Sequence, residues 1–282
     1  KKYNIPFSLA LNPQISDSLE YTTKSFRIKE LKGDYYIAPW MKKWNMKNPF
    51  WGCVNNPKFK KLFLERSLFL ASLEPYALFL DDALFNVRLK LENKFGCFCN
   101  HCLTKFKNNT KGYVSIDTKK LDSLNFYFEK NINDFSVSNS TKNLIVDYQK
   151  FQEISVINFL NSWKVALKKN YPKLLFLTNN GNGNWGPIYT VFDGAIGELK
   201  GKFVNPKKLD SLYKIADSLG KTQLFSIATS YTYMHKKLLK YNHLNNRESL
   251  YPWDVFVPKE KRYFMSYDTI LEIKNNLKKI KR

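Results

Sequence analysis

The sequence predicts an α/β protein of the (β/α)8 barrel type, and two observations lead to this class. Short runs of β-branched and aromatic residues alternate with longer amphipathic segments along the 282 residues, which is typical of strand–helix units around a parallel sheet. The predicted strands are almost continuously apolar, as strands covered on both faces are. No Gly-rich dinucleotide loop joins a strand to a helix, so a barrel is favoured over an open doubly wound sheet.

The elements are predicted from their periodicity. The strands are Phe7–Asn12, Tyr35–Trp40, Tyr76–Asp82, Leu174–Asn180, Phe192–Glu198, Gln223–Thr229 and Tyr263–Asp268. The helices, with apolar residues at three- and four-residue spacing and Lys on the other face, are Pro57–Leu73, Asp147–Asn170, Pro206–Leu219 and Ile270–Lys281. Trp163 lies inside one of them and is expected in the core. The Asn- and Ser-rich stretch Asn131–Asn143 is interpreted as an insertion or loop, and we expect a single domain over residues 1–282.

The composition excludes some classes of protein. With 44% hydrophobic residues the chain is not disordered, and no apolar run approaches the ~20 residues of a membrane span. The net charge is +22, but only six of the 46 cationic residues are Arg. Arg is the residue with which nucleic-acid-binding proteins usually recognise bases and phosphates. We therefore interpret the charge as a compositional bias and expect no nucleic-acid partner. Long-range attraction to an anionic polysaccharide stays compatible with it.

Carboxylates at the ends of predicted strands indicate chemistry, because functional residues of barrels lie at the carboxyl ends of the strands. Asp82 and Glu198 are the predicted catalytic pair. Glycoside hydrolysis needs one carboxyl group to protonate the leaving oxygen and a second to attack the anomeric carbon or activate water. The alternative for an Asp after a strand is that it caps the next helix.

Other polar and aromatic residues near the strand ends are candidates for substrate binding, since Trp and Tyr rings stack on the apolar faces of sugars. This predicted set comprises Trp40, Asp81, Asn179, Asn180, Trp185, Tyr231, Trp253 and Asp268. The loop at residues 179–187 contains three of them and is interpreted as part of the active face.

The four cysteines give the sharpest signal in the chain. Cys97, Cys99 and Cys102 lie within six residues, and Cys53 lies upstream. Three thiols so close cannot easily form separate disulfides, whereas four Cys supply the soft ligands of tetrahedral zinc. Zinc is favoured over an iron–sulfur cluster because no redox cofactor site is evident. Two disulfides or free buried thiols are the alternatives, and His101 is expected to be exposed or outside the ligand set. Four protein ligands leave no open position, so the zinc would be structural.

The segment Cys97-x-Cys99-x2-Cys102-x3-Phe106 resembles the (β/α)8 glycoside hydrolases of the clan that includes the family 42 β-galactosidases. In that clan a similar segment follows the strand-four carboxylate, and a Cys of the preceding loop, here Cys53, completes a zinc site. The resemblance implies a barrel and places Asp82 at the acid/base position. It also implies that strand one of the barrel is missing or modified. The chain departs from the family in having Asp81-Asp82 where members carry Asn-Glu, and no carboxylate where their strand seven ends.

The expected function is that of a glycoside hydrolase acting on an oligo- or polysaccharide, with structural Zn²⁺ and no organic cofactor. A non-catalytic carbohydrate-binding barrel is the alternative, and a basic nucleic-acid-binding protein is a third. The sequence does not define the oligomeric state. A polysaccharide substrate would favour a secreted or periplasmic protein, and another substrate the cytoplasm.

Overall fold

The computed structural model describes residues 6–15, 26–37, 50–92, 94–109, 139–199, 205–227, 232–250 and residue 275. The chain divides into two compact units, Lys1–Leu174 and Leu175–Arg282, which are presented in turn. Among the described residues, no helix combines the length and the apolar character that crossing a bilayer requires.

The first unit contains a parallel strand pair and a small antiparallel pair. Strands β1 (Ser8–Leu11) and β4 (Ala77–Leu80) run parallel, with Ser8 opposite Ala77 and Leu11 opposite Leu80. Strands β2 (Gln14–Ile15) and β3 (Phe50–Trp51) are antiparallel. Three of the four side chains of β4 are buried, as expected for a strand covered on both faces.

The described part of the first unit also contains three α-helices. Helix α1 (Pro57–Ser72) begins where the Asn56 side chain accepts hydrogen bonds from the backbone of Lys58 and Phe59, with Pro57 in the first turn. A 3₁₀ helix, Phe85–Glu92, follows β4. Helices α2 (Asn100–Asn109) and α3 (Asn139–Asn170) complete the unit.

An aromatic cluster holds α1, the 3₁₀ helix and α3 together. Phe63 lies in its centre, 5.6 Å from the ring of Phe85, 5.4 Å from Phe159 and 5.6 Å from Trp163. Trp163 is 4% exposed and its indole N–H donates to Ser67 Oγ at 2.8 Å. The prediction that Trp163 belongs to the core is therefore confirmed.

The second unit is built on three parallel strands: β5 (Leu175–Asn179), β6 (Gly194–Leu199) and β7 (Thr222–Ile227). Helix α4 (Pro206–Ser218) connects β6 to β7, and α5 (Thr232–Leu244) follows. Tyr213 of α4 and Leu238 of α5 pack with Phe225 of β7 in one core cluster. Each unit is thus a mixed α/β structure with parallel strands.

The observed boundaries differ from the predicted ones at several places. Helix α3 begins at Asn139, so residues 139–143 of the stretch interpreted as a loop are helical, because a helix fixed by packing extends into polar residues that cannot initiate it alone. Strand β6 begins at Gly194, which leaves Asp193 before the strand.

Several predicted elements lie wholly or partly outside the described residues. These are the strand Tyr263–Asp268, the helix Ile270–Lys281 except residue 275, residues 38–40 of the strand Tyr35–Trp40, residues 228–229 of the strand Gln223–Thr229, and residues 131–138 of the stretch Asn131–Asn143. Tyr35 itself forms an isolated bridge with Lys29. In the described part of the chain, two parallel strands occur in the first unit and three in the second, so the closed eight-stranded barrel stays a prediction.

Candidate functional site

The four cysteines of the first unit form one cluster. The four Sγ atoms, those of Cys53, Cys97, Cys99 and Cys102, all lie within 4.8 Å of one another, and all four residues are buried. The Sγ atoms of Cys53 and Cys102 are 3.3 Å apart, and those of Cys99 and Cys53 are 3.6 Å apart. These separations exceed the ~2.05 Å of a disulfide bond, and all four cysteines are free.

Two chain segments position the sulfur atoms. Cys53 follows β3, and its backbone N–H donates to the carbonyl of Phe26 at 2.8 Å. Cys97 and Cys99 precede α2, and Cys102 lies in its first turn. Gly96 adopts a left-handed φ of +140°, and a Cβ there would come within 2.7 Å of the Gln152 side chain. A glycine before Cys97 therefore lets α3 approach the cluster closely.

Aromatic side chains form one part of the surroundings of the cluster. Phe106, which is part of the sequence motif, is 2% exposed and packs at 4.9 Å against the ring of Tyr148 and at 5.2 Å against that of Phe151. The Tyr148 hydroxyl donates to the carbonyl of Cys97. His101 is exposed, which agrees with its expected place outside the ligand set.

Without a cation, ionising several of these buried thiols together would be unfavourable. Burial raises the pKa of the Cys97 and Cys102 thiols, because a thiolate in a low-dielectric interior is costly. Hydrogen bonds from the neighbouring thiols lower the pKa of Cys99. Four thiolates at this spacing require a compensating cation.

The donor set fits a metal ion. A tetrahedron with Zn–S bonds of about 2.3 Å places its sulfur atoms about 3.8 Å apart, close to the separations found here. Four buried cysteines with this spacing are compatible with a metal site. The residues that would hold the ion are Cys53, Cys97, Cys99 and Cys102, as the sequence predicts.

Amide side chains donate hydrogen bonds to two of the sulfur atoms. Asn55 Nδ2 lies 3.3 Å from Cys102 Sγ, and Asn86 Nδ2 lies 3.4 Å from Cys53 Sγ and 3.5 Å from Cys102 Sγ. Asn86 also donates to Gln152 Oε1 at 2.9 Å. No sequence pattern marks these amides, and only the proximity of Asn55 to Cys53 in the chain could have suggested one of them.

Asp82 lies just beyond the carboxyl end of β4. Its backbone has a left-handed φ of 53°, and Phe85 three residues later has φ 42°. Such conformations are costly for residues other than Gly and concentrate at functional sites. Asp81, the neighbouring predicted site residue, is partly buried, and its backbone N–H donates to the carbonyl of Leu11 on β1.

The Asp82 carboxyl group is poorly hydrated, with 16% of its side chain exposed. Burial raises the pKa of this group to about 6, the Arg88 guanidinium 3.5 Å away opposes the rise, and the charge of Asp81 adds to it. Asp82 Oδ1 also accepts a hydrogen bond from Leu84 N at 3.4 Å, which is the capping contact considered as the alternative. A carboxyl group with this pKa holds its proton at mildly acidic pH.

Glu198 lies in the second unit, directly before Leu199, the last residue of β6. It is exposed, and its Oε1 accepts a hydrogen bond from Asn179 Nδ2 at 2.8 Å. Asn179 Oδ1 in turn accepts from the backbone of Gly181 at 2.8 Å. Asn179 ends β5, so a carboxylate and an amide from adjacent parallel strands meet at their carboxyl ends, where sites of parallel sheets form.

The predicted substrate residues Asn180 and Trp185 share one partner. Asn180 is 1% exposed, and its Nδ2 donates to Gln223 Oε1 at 2.9 Å. The indole N–H of Trp185 donates to the same oxygen at 2.9 Å. The N–H group of Trp185 is therefore engaged within the second unit. Trp40, Tyr231, Trp253 and Asp268 lie outside the described residues.

No protein-family model matches the sequence, and no curated protein matches it. Among solved structures, the chain is similar to the glycoside hydrolase domain of PelA from Pseudomonas aeruginosa, with a TM-score of 0.37 and 11% sequence identity. The similarity covers 77% of this chain and 64% of that one, so the chain spans less than two thirds of the length of the structure it matches. Membership of family 42 stays a prediction.

Proposed function

We propose that the protein is a glycoside hydrolase acting on an oligo- or polysaccharide, with Asp82 as the general acid. The observation that supports this most is the largely buried Asp82 carboxyl group at the carboxyl end of a parallel strand, on backbone of left-handed conformation. A general acid must carry its proton until the leaving oxygen needs it. Burial gives a carboxyl group this property in glycosidases, by raising its pKa toward neutrality.

Glu198 is the proposed second carboxylate. It would either attack the anomeric carbon or remove a proton from the attacking water, while Asp82 gives its proton to the departing glycosidic oxygen. The hydrogen bond from Asn179 to Glu198 Oε1 supports this role, because it orients the carboxylate and favours its charged form. The Trp185 ring is proposed to contact sugar.

The test is hydrolysis of a glycan panel that includes anionic polysaccharides. Asp82→Asn is expected to lower kcat by about 10²- to 10⁴-fold, and Glu198→Gln to lower it strongly as well. Glu65→Gln serves as the control, since Glu65 is an exposed carboxylate of α1 that pairs with Lys61, and should leave turnover unchanged. Turnover of the parent should also decrease as pH rises through about 6, because Asp82 then loses its proton.

Unchanged turnover in both Asp82→Asn and Glu198→Gln would refute the assignment of the pair. Binding of a glycan by the parent without release of product would instead favour the alternative, a non-catalytic carbohydrate-binding protein. Retention on heparin that disappears at moderate salt, with all glycans ignored, would favour a polyanion-binding protein.

We further propose that the four cysteines bind one structural Zn²⁺. The support is the buried set of four sulfur atoms, all within 4.8 Å of one another. Metal analysis of the purified protein is expected to give one zinc per chain, and Cys99→Ser to lower this content. A parent protein that folds with no bound metal would contradict the proposal, and iron with visible absorption would assign the site to a different metal.

A further inference from the structure

Two buried asparagines have side chains whose orientation is fixed from outside the cysteine cluster. Asn86 Oδ1 accepts a hydrogen bond from Val54 N at 3.2 Å. Asn55 Oδ1 accepts one from Lys105 Nζ at 2.9 Å. Because each oxygen is engaged by a donor, each NH₂ group must point the other way. In both residues that direction leads to the sulfur of Cys102.

The hydrogens of Asn86 can be accounted for individually. Its NH₂ group has two, and one is directed to Gln152 Oε1 at 2.9 Å. The other is shared between Cys53 Sγ and Cys102 Sγ. Gln152 is held in turn, since its Nε2 donates to the carbonyl of Cys97 at 3.2 Å. Asn86 is fully buried and Gln152 is 1% exposed, so water does not substitute for these contacts.

Donors aimed at sulfur from two sides match the charge of a metal-bound cluster. A divalent ion with four thiolates carries a net charge of about −2, and hydrogen bonds to a charged acceptor are stronger than those to a neutral one. Lys105 adds a positive charge behind the Asn55 amide, which polarises its N–H bonds toward Cys102. A thiol would use these donors poorly, because neutral sulfur is a weak acceptor.

We propose that Asn55 and Asn86 are positioning residues of the metal centre, whose side-chain amides donate to the thiolates of Cys53 and Cys102 and thereby strengthen metal binding. This inference rests on the proposed occupancy of the cluster by a metal. It assigns a role to residues that are not ligands, and it explains why two amides are buried beside four sulfur atoms. Partners of ligands in other metal sites typically contribute 10- to 100-fold to metal affinity.

Asn86 also connects the cluster to the segment around Asp82. It belongs to the 3₁₀ helix Phe85–Glu92, which carries Arg88 to within 3.5 Å of the Asp82 carboxyl group. The same asparagine is hydrogen-bonded to the cluster on one side and, through Gln152, to α3 on the other. A metal held by the four thiolates would therefore fix the segment that follows β4.

The experiment is a Co²⁺ titration of the metal-stripped full chain, in which thiolate-to-cobalt charge-transfer absorption reports the sulfur atoms directly. Asn86→Leu and Asn55→Leu are each expected to weaken Co²⁺ affinity about 10- to 100-fold. Both should shift the charge-transfer band to longer wavelength, because a thiolate without its hydrogen bonds gives up electron density more easily. Asn158→Leu on α3, an exposed asparagine, is the control and should change neither quantity.

The band position separates this role from a purely structural one, since lost packing alone would not move it. If Asn86→Leu fails to fold, Asn55→Leu decides the question, because Asn55 lies at the edge of the buried region with 8% exposure. Unchanged affinity and band position in the folded variants would overturn the inference while leaving the metal site intact. Failure of the parent to bind Co²⁺ with thiolate absorption would overturn both the inference and the proposed metal site.

Discussion

Replacing Asp82 by Asn should make the protein more stable at neutral pH, and by an amount that depends on pH. The raised pKa means that the folded state keeps a proton on Asp82 between its usual pKa of 3.8 and about 6, whereas the unfolded state has released it. The free energy of unfolding of the parent therefore falls as pH rises through this interval. Asn resembles the protonated carboxyl group and does not titrate, so the free energy of unfolding of the variant does not fall in this way.

The magnitude follows from the interval between the two pKa values. At about 1.4 kcal/mol per pH unit, the ionised Asp82 costs about 3 kcal/mol in the folded state. About 1.3 kcal/mol of this develops between pH 5 and pH 7. Asn also tolerates the left-handed backbone of residue 82, and its side-chain oxygen retains the hydrogen bond from Leu84.

Urea unfolding of parent and variant at several pH values, with zinc in excess, measures the difference. Tryptophan fluorescence follows the transition, since Trp51 and Trp163 are buried in the first unit and Trp185 lies in the second. The advantage of Asp82→Asn over the parent should grow by about 1.3 kcal/mol from pH 5 to pH 7. A constant difference over this range would show that the Asp82 pKa is not raised, and the assignment of Asp82 as the general acid would lose its physical basis.

Asp217→Asn provides a control with the opposite expectation. A bidentate hydrogen bond from Arg247, at 2.8 Å for each oxygen, lowers the pKa of Asp217 below its usual 3.8. Its stabilising effect is complete above that value and is lost only at lower pH. The variant should be less stable than the parent by a margin that does not change between pH 5 and pH 7.

Three further predictions concern packing and ion pairing at neutral pH; the first two are measured by urea unfolding and the third by thermal unfolding. Phe63→Ala is expected to cost about 3–5 kcal/mol, because Phe63 is 2% exposed in the centre of the aromatic cluster; Phe69→Ala on the same helix, 68% exposed, should cost little. Gly197→Ala is expected to cost about 1–3 kcal/mol, since the new Cβ would lie 2.8 Å from the Phe225 ring. Gly186→Ala, where only an Asn184 oxygen lies near at 3.8 Å, is its control. Arg247→Lys should lower the melting temperature, because Lys cannot form the bidentate pair with Asp217, and the difference should shrink at high salt. Equal stability of Phe63→Ala, Gly197→Ala or Arg247→Lys and the parent would contradict the packing or pairing described for that residue.

Local patterns predict much of the architecture. The burial of Phe59, Phe63, Ser67 and Ala71 on α1 follows the helical period that the sequence displays. The cysteine spacing predicts the cluster, since short intervals between ligands bring the sulfur atoms together wherever the fourth Cys comes from. These features depend on neighbours in the chain, and periodicity or spacing records them.

Contacts between distant polar residues could not be predicted in this way. Asn86 and Gln152 are 66 positions apart, and Asn180 and Gln223 are 43 apart. Each would satisfy its hydrogen bonds equally well with water at the surface, so nothing local marks it as buried. Asn180 illustrates the consequence: its position after a strand suggested substrate contact, whereas its burial commits its amide to Gln223.

The 32-residue helix α3 is about 48 Å long and packs against both the cysteine cluster and the aromatic cluster. Near its beginning Tyr148 and Gln152 contact the cysteine segment, and further along Phe159 and Trp163 enter the aromatic cluster. A rigid rod that borders both clusters makes them one cooperative folding unit. Substitutions in either place should therefore destabilise the same unfolding transition, and because the two places lie about 10 Å or more apart along the helix, their separate costs should add to within about 0.5 kcal/mol in the double variant.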